Sequence, residues 1–335
     1  MQMKQDDHFT ALLNWLEKLP DVSYKNIQVA SSDASFRRYY RVWLGDVSYI
    51  VMDSPPSKED NYRFVKYSKL FHQIGLNCPE IYETNFTKGF FVLEDLGSQH
   101  FLDRILHNKH EQINLYNDAL SALLKLQING SKIAKEFSSY EHSLLSEEMN
   151  LFVDWFCVKE LNYWFSKKQL SQWQDCAQIL TTNALNQPQV LVHRDYHSRN
   201  LIHSQFNNPG ILDYQDAVIG PITYDLVSLL RDCYISVPEN LISELLSNFY
   251  AKIDRSIRKD MSKESFIRFF DLMGIQRHLK AVGIFSRLMH RDGKNNYLKD
   301  IPRTLNYIYR VSIKYPELSF VTQFMVDQCL NYGDQ

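Results

Sequence analysis

The chain has 335 residues, 44% of them hydrophobic and 23% charged, with a formal net charge of −2. That composition suits a globular protein of one to three domains with a sizeable core, and the weak charge argues against a nucleic-acid or membrane-surface role. No apolar run reaches the ~18 to 20 residues that a membrane span requires. The polar start, Met1 to Asp7, leads into no apolar stretch, so no leader is expected. Five scattered cysteines, never in C-x-x-C spacing, fit a reduced, cytoplasmic protein.

Phe9, Leu12, Leu13, Leu16 and Leu19 recur at helical spacing before Pro20, predicting an amphipathic opening helix. Short β-rich stretches follow at Ile27–Val29, Tyr39–Trp43 and Val47–Val51, separated by small polar residues and by Gly45-Asp46, which predicts an antiparallel meander. Pro55-Pro56 breaks the chain, and helical periodicity returns over Lys58–Ile74. Two further strands are expected around Glu80–Tyr82 and Phe90–Leu93, and Glu94-Asp-Leu-Gly97 reads as a hinge. The rest is mainly helical, interrupted by a hairpin, with a helical bundle over the C-terminal third. The predicted class is α+β, bilobal and protein-kinase-like: a small antiparallel β lobe over 1–96 and a larger helical lobe over 97–335.

The hairpin carries the chemistry. Leu191-Val-His-Arg-Asp-Tyr-His-Ser-Arg-Asn-Leu-Ile202 puts Asp195 in a turn between apolar stretches with Asn200 five positions on, and Asp213 ends the next apolar run. That is the layout of a phosphotransfer site: one carboxylate takes the proton of a hydroxyl, while an amide and a second carboxylate hold Mg²⁺ on ATP. Asp195 is the candidate base, and Asn200 and Asp213 are the candidate metal ligands. The loop Ser31-Ser-Asp-Ala-Ser-Phe-Arg-Arg38 is the candidate phosphate cradle, contributing Ser32, Asp33, Ala34, Ser35, Phe36, Arg37 and Arg38, because small residues let backbone N–H groups approach an anion. His193-x-Asp-x-His197 also admits a zinc reading, but no second ligand cluster accompanies it. His290-Arg-Asp292 repeats the triplet before Gly293 and reads as a helix end. From Gln276 to Lys299 six basic residues stand against one acid, Asp292: either a solvated helix face or a basic wall for an acidic substrate. His197, Arg199, Arg277 and Arg287 are the candidate substrate contacts. Asp225 is expected to cap a helix or to brace the catalytic turn through a residue such as Arg194.

His193-Arg-Asp-Tyr-His-Ser-Arg-Asn200 with Leu212-Asp-Tyr-Gln-Asp216 resembles the aminoglycoside phosphotransferase and choline kinase superfamily. Ser32–Val42, Val51–Asp60, Gly220–Asp232 and Gly283–Gly293 look like a narrower group, the anomeric N-acetylmuramate and N-acetylglucosamine kinases of peptidoglycan recycling. The resemblance implies ATP and Mg²⁺ as cofactors, Asp195 acting on the anomeric hydroxyl, and the backbone of Glu94 to Leu96 against adenine. It also implies a sugar 1-phosphate product and a functional link to a sugar-1-phosphate nucleotidyltransferase. Another small-molecule kinase of the fold, or a non-catalytic binding protein, stays open as an alternative. One departure stands out. Kinases carry a lysine on the third strand, paired to a helix glutamate. Here that strand reads Tyr49-Ile-Val-Met-Asp53, leaving Arg37, Arg38, Arg41 and Lys58 as candidate replacements and Glu59 as candidate partner.

Overall fold

Residues 7–19, 24, 26–31, 36–329 and 332 are described by the computed structural model of the chain. They form two compact units: one holds the described residues up to Gln99 together with Ile202–Gln215, the other His100–Leu201 and the described residues from Asp216 on.

The first unit opens with helix α1, Asp7–Leu16, followed by strands β1 (Ile27–Ser31), β2 (Arg38–Leu44) and β3 (Val47–Asp53). Helix α2 (Asn61–Gln73) and strands β4 (Ile81–Asn85) and β5 (Phe90–Glu94) complete it. The strands make one antiparallel sheet in the order β1-β2-β3-β5-β4. Leu44 faces Val47 across the two-residue turn Gly45-Asp46, with Gly45 at φ 61°. Positive φ is what a tight hairpin needs for its twist to match the strands. Leu12 and Leu16 of α1 bury against Tyr40, Val42, Val51, Phe90 and Val92, which is why the helix stripe and the alternating strand faces were both visible in the sequence.

Helix α2 starts three residues later than its periodicity suggested. Lys58 N–H donates to the Pro55 carbonyl in a turn, and the Asp60 carboxylate accepts from Arg63 N–H at 3.0 Å, capping the helix there.

The second unit holds helices α3 (Phe101–His107), α4 (Gln112–Gly130), α5 (His142–Leu151) and α6 (Lys167–Leu185), then strand β6 (Gln189–Val192). The chain next forms a small ribbon of β7 (Leu201–Ile202) and β8 (Gly210–Ile211), and continues through β9 (Val218–Pro221). Helices α7 (Tyr224–Leu230), α8 (Glu239–Lys252), α9 (Arg255–Arg258), α10 (Lys263–Asp292), α11 (Ile301–Ser312) and α12 (Ser319–Phe324) follow. Where one hairpin was expected there are two separate ladders: β6 pairs with β9, Val192 facing Val218, while β7 pairs with β8. The 193–200 segment is therefore a crossing between ladders, which a local reading of two apolar runs around a turn does not distinguish from a hairpin.

The long helix α10 runs through the core of this unit. Leu272, Ile275 and Leu279 pack with Phe152, Phe156, Trp173, Ile301 and Ile308. Its Gly293 C-cap at φ 68° ends the helix after His290-Arg-Asp292, as the second triplet implied. All five cysteines are buried and free.

Candidate active site

In the second unit, Asp195 sits in a turn whose backbone is held by carboxylates from both ends of α7. Asp225, fully buried in the first turn of that helix, accepts the backbone N–H of His193 at 2.7 Å and of Arg194 at 2.9 Å. Arg194 is left-handed there, at φ 77°, a conformation that a side-chain-bearing residue adopts only when its surroundings hold it. Asp232, just past the helix end, accepts from Ser198 N–H at 2.9 Å, from Ser198 Oγ at 2.6 Å and from Tyr234 N–H at 2.8 Å. Hydrogen bonds to a charged acceptor contribute roughly 1.5–3 kcal/mol each, enough to hold the turn in shape. Asp225 braces the turn through backbone amides, not through the Arg194 side chain. Burial pushes its own carboxyl up to about 6 despite His193 and the two amides. Tyr196, buried beneath, donates to the Ala119 carbonyl at 2.8 Å.

Under the turn lies a buried polar network centred on Glu148 of α5. Glu148 accepts from Arg194 at 2.6 Å, from Lys280 Nζ at 2.9 Å, from Gln276 Nε2 at 3.2 Å and from the Tyr140 hydroxyl. Lys280 also donates to Tyr224 Oη at 2.9 Å. Burial alone would raise the Asp195 carboxyl, but Lys280 first, then His197, Arg277 and Arg194, pull it below the usual range, so it is ionised at neutral pH. Burial lowers His197 to about 4, leaving its ring neutral, edge-on to Tyr234 at 5.1 Å. Asn200 donates its side-chain amide to the Asp195 carbonyl at 3.0 Å.

The basic run from Gln276 to Lys299, most of it on α10, divides. Arg277 and Lys280 are buried, whereas Arg291 and Lys299 are exposed and Arg291 pairs with its neighbour Asp292 at 2.8 Å. A uniformly solvated face is thereby excluded. Arg277 donates to Cys233 Sγ at 3.8 Å, and its buried Nε has no partner among the described residues. Arg199 stacks on Tyr234 with its guanidinium 3.7 Å from the ring centre and lies 3.9 Å from Asp300. Arg287 has Arg291 and Asp292 as charged neighbours.

In the first unit, the end of β5 is tied down by Asp95. Its carboxylate accepts from Arg41 at 2.5 and 3.0 Å and from Gly97 N–H at 3.0 Å, and Arg41 also donates to the Gly97 carbonyl. Glu94 folds back to accept from Glu80 N–H at 3.2 Å, and Leu96 packs against Gly210, where a Cβ would stand 2.8 Å from it. Asp213 is exposed and left-handed at φ 64°, accepting from Gln215 at 2.8 Å. Tyr214 beside it is buried on Phe64, ring centres 5.4 Å apart. Arg37 is buried and pairs with Glu59 at 3.0 Å, Arg38 pairs with buried Asp53, and Phe36 is exposed with Lys58 Nζ 5.4 Å from its ring. Ser32, Asp33, Ala34 and Ser35 lie outside the described residues. Among the described residues no three His, Cys, Asp or Glu side chains gather as a metal cluster, and His193 Nδ1 instead receives Asp195 N–H at 3.2 Å, against the zinc reading.

Residues 26–255 match the phosphotransferase enzyme family. The chain belongs to that family. It is 40% identical over 328 residues to the N-acetylmuramate/N-acetylglucosamine kinase of Pseudomonas aeruginosa, covering 95% of this chain and 96% of that one. A Neisseria meningitidis protein of the same name is 39% identical over 322 residues, 94% of each chain. Among solved structures, choline kinase from Streptococcus pneumoniae aligns with TM-score 0.64 at 11% identity, over 90% of this chain and 99% of that one. The ADP-bound aminoglycoside phosphotransferase APH(2'')-Ib aligns with TM-score 0.59 at 12% identity, over 90% and 97%. These distant structures share the kinase-like fold. As a family phosphotransferase, the protein has its α+β class explained, and no helix among the described residues is long and apolar enough to cross a membrane.

Glu148 and Asp232 went unassigned in the sequence. Glu148 directly follows Glu147 on α5, with nothing local to mark which of the two is buried; the signal for Asp232 is its place seven residues after Asp225, which puts the two acids at opposite ends of α7.

Proposed function

We propose that this phosphotransferase is a cytoplasmic, ATP- and Mg²⁺-dependent sugar kinase acting on the anomeric hydroxyl of N-acetylmuramate, N-acetylglucosamine or both. The observation that carries the reaction type is Asp195, held ionised in a turn pinned by Asp225 and Asp232 and surrounded by Lys280, His197, Arg277 and Arg194. The choice of sugar is supported by the relatives about 40% identical over nearly the whole chain.

Asp195 accepts a hydrogen bond from the C1 hydroxyl, orients its oxygen and takes its proton as the O–P bond forms. The bond from the γ-phosphorus to the bridging oxygen breaks, and ADP leaves. Asn200 and Asp213 carry the hard oxygen donors that Mg²⁺ prefers and would be its protein ligands; the Asn200 amide nitrogen is engaged by the Asp195 carbonyl. Mg²⁺, when bound, neutralises charge on the phosphates. Neutral His197 and buried Arg277 provide polar contacts for the sugar, and Arg277 favours an acceptor carrying a carboxylate, as the lactyl group of N-acetylmuramate does. The sugar 1-phosphate is a substrate for a nucleotidyltransferase.

The test is incubation with Mg-ATP and N-acetylmuramate, N-acetylglucosamine, glucose, choline or kanamycin, with the position of phosphate read by ³¹P NMR. Anomeric phosphate on an N-acetylated sugar is expected. Phosphate on choline or kanamycin overturns the choice of substrate, and no transfer to any acceptor overturns the kinase reading itself.

A further inference from the structure

We infer that Arg37, clamped by Glu59, is the phosphate-binding cation of the nucleotide site, taking the part of the lysine that the third strand lacks. This rests on the proposed kinase reading and deepens it by naming a residue.

Four basic residues of the first unit could fill that part, and the structure separates them. Arg38 is paired with Asp53, a fully buried carboxylate at the end of β3 that also lies 3.0 Å from His8, so it serves the end of the β2–β3 ladder. Arg41 holds Asp95 and the Gly97 carbonyl, fixing the segment after β5. Lys58 is exposed and lies against the ring of exposed Phe36.

Arg37 differs in three respects. It is 4% exposed, and its guanidinium is 3.0 Å from Glu59, which stands just before α2, so the cation is held by an acid at a helix entrance. A lysine–glutamate pair has that logic: the acid positions the cation so that little side-chain entropy is lost when phosphate arrives. Its charged neighbours also include Asp213, the carboxylate assigned to the metal. Finally, its guanidinium lies 5.4 Å from the Phe64 ring centre, and Phe64 stacks on Tyr214, the residue after Asp213, also at 5.4 Å. One buried ring thus spaces the cation from the backbone that presents the metal carboxylate. A forked guanidinium suits phosphate oxygens better than an ammonium point charge, which makes arginine a chemically sound substitute.

The test measures Mg-ADP and adenosine binding by calorimetry for wild type, Arg37→Met, Arg37→Lys and Lys58→Ala. Loss of a charge-assisted phosphate contact is expected to weaken Mg-ADP roughly tenfold or more in Arg37→Met, with adenosine unchanged. Arg37→Lys should recover part of the loss, and Lys58→Ala should bind both ligands as wild type does. Equal weakening of ADP and adenosine would make Arg37 a packing residue and overturn the assignment, as would selective loss of ADP in Lys58→Ala alone. Should Arg37→Met not fold, the Arg37 ¹⁵Nε resonance of the wild-type protein decides, assigned by its absence from Arg37→Lys. It should shift with Mg-ADP and stay in place with adenosine, and an unmoved signal overturns the inference. Wild-type protein that binds neither ligand would instead bring down the kinase reading on which the inference rests.

Discussion

Asp195 is half-buried yet has a lowered pKa, because cations on α10 and in its own turn outweigh the loss of solvent. As the proposed base, Asp195 in its ionised form needs no deprotonation before each turnover, so its charge and position are what a substitution tests. Asp195→Asn keeps the shape and removes the charge, and its kcat is expected to fall at least ~100-fold, the usual scale for losing a general base. Turnover near the wild-type rate would remove Asp195 from the mechanism. Arg277 is separable from it. Lys280 is committed to Glu148 and Tyr224, whereas Arg277 has an unpartnered buried Nε. Arg277→Lys retains charge and loses the fork, so KM for N-acetylmuramate should rise about tenfold, with a smaller change for N-acetylglucosamine, which has no carboxylate. Equal effects on both sugars would make Arg277 a structural residue. Of the candidate site residues, Asp195, Asn200 and Asp213 could be proposed from the sequence because they stand together within 195–213. Glu148 and Asp232 were not, because they reach the turn through space.

At the scale of elements, the candidate catalytic turn depends on α7 and α10 being where they are. The approach of α10 to the end of α5 is set by Gly283: a Cβ there would stand 2.4 Å from the Leu151 carbonyl carbon and 2.6 Å from the Phe152 nitrogen. Those are backbone atoms, which cannot rotate away. Gly283→Ala should therefore force the helices apart, with a cost of roughly 1–3 kcal/mol from overpacking. Because α10 carries Lys280 and α5 carries Glu148, activity should fall along with the thermal midpoint. A variant of unchanged stability would show that the close approach is not constrained. The helix stripe of α10 was readable in the sequence, but its basic residues were ambiguous, since periodicity alone does not say whether a cation meets solvent or a buried acid.

The whole molecule's stability should depend on pH through its buried histidines. Burial lowers His197 to about 4 and His278 to about 3, the latter with Nε2 2.8 Å from the Arg231 carbonyl. Unfolded histidine titrates near ~6.5, so between that value and the folded pKa the unfolded chain binds more protons. These groups lose stability for the fold as pH drops from 6.5 toward 4. Asp225, raised to about 6, has the opposite sign between about 4 and 6, because its folded form holds the proton longer. Two groups against one leave a net fall. The thermal midpoint should decline from pH 7 to pH 4, and His278→Gln, which keeps a donor for the Arg231 carbonyl, should make that decline shallower. A midpoint that rises on acidification would contradict the assignment of neutral buried histidines.

Some properties of this protein are local in the chain. Strand alternation around Gly45-Asp46, the α1 stripe and the spacing of Asp195 to Asn200 each follow from the conformational preferences of neighbouring residues. Together they determined the α+β class and pointed to a candidate phosphotransfer site. What only the tertiary structure decided lies in long-range pairing: β6 with β9 instead of a hairpin, Asp225 and Asp232 on the turn, Glu148 beneath it, and Arg37 with Glu59. The physical reason is desolvation. A buried charge or backbone amide must find a partner wherever the fold places one, and that partner's position in the sequence leaves no local trace.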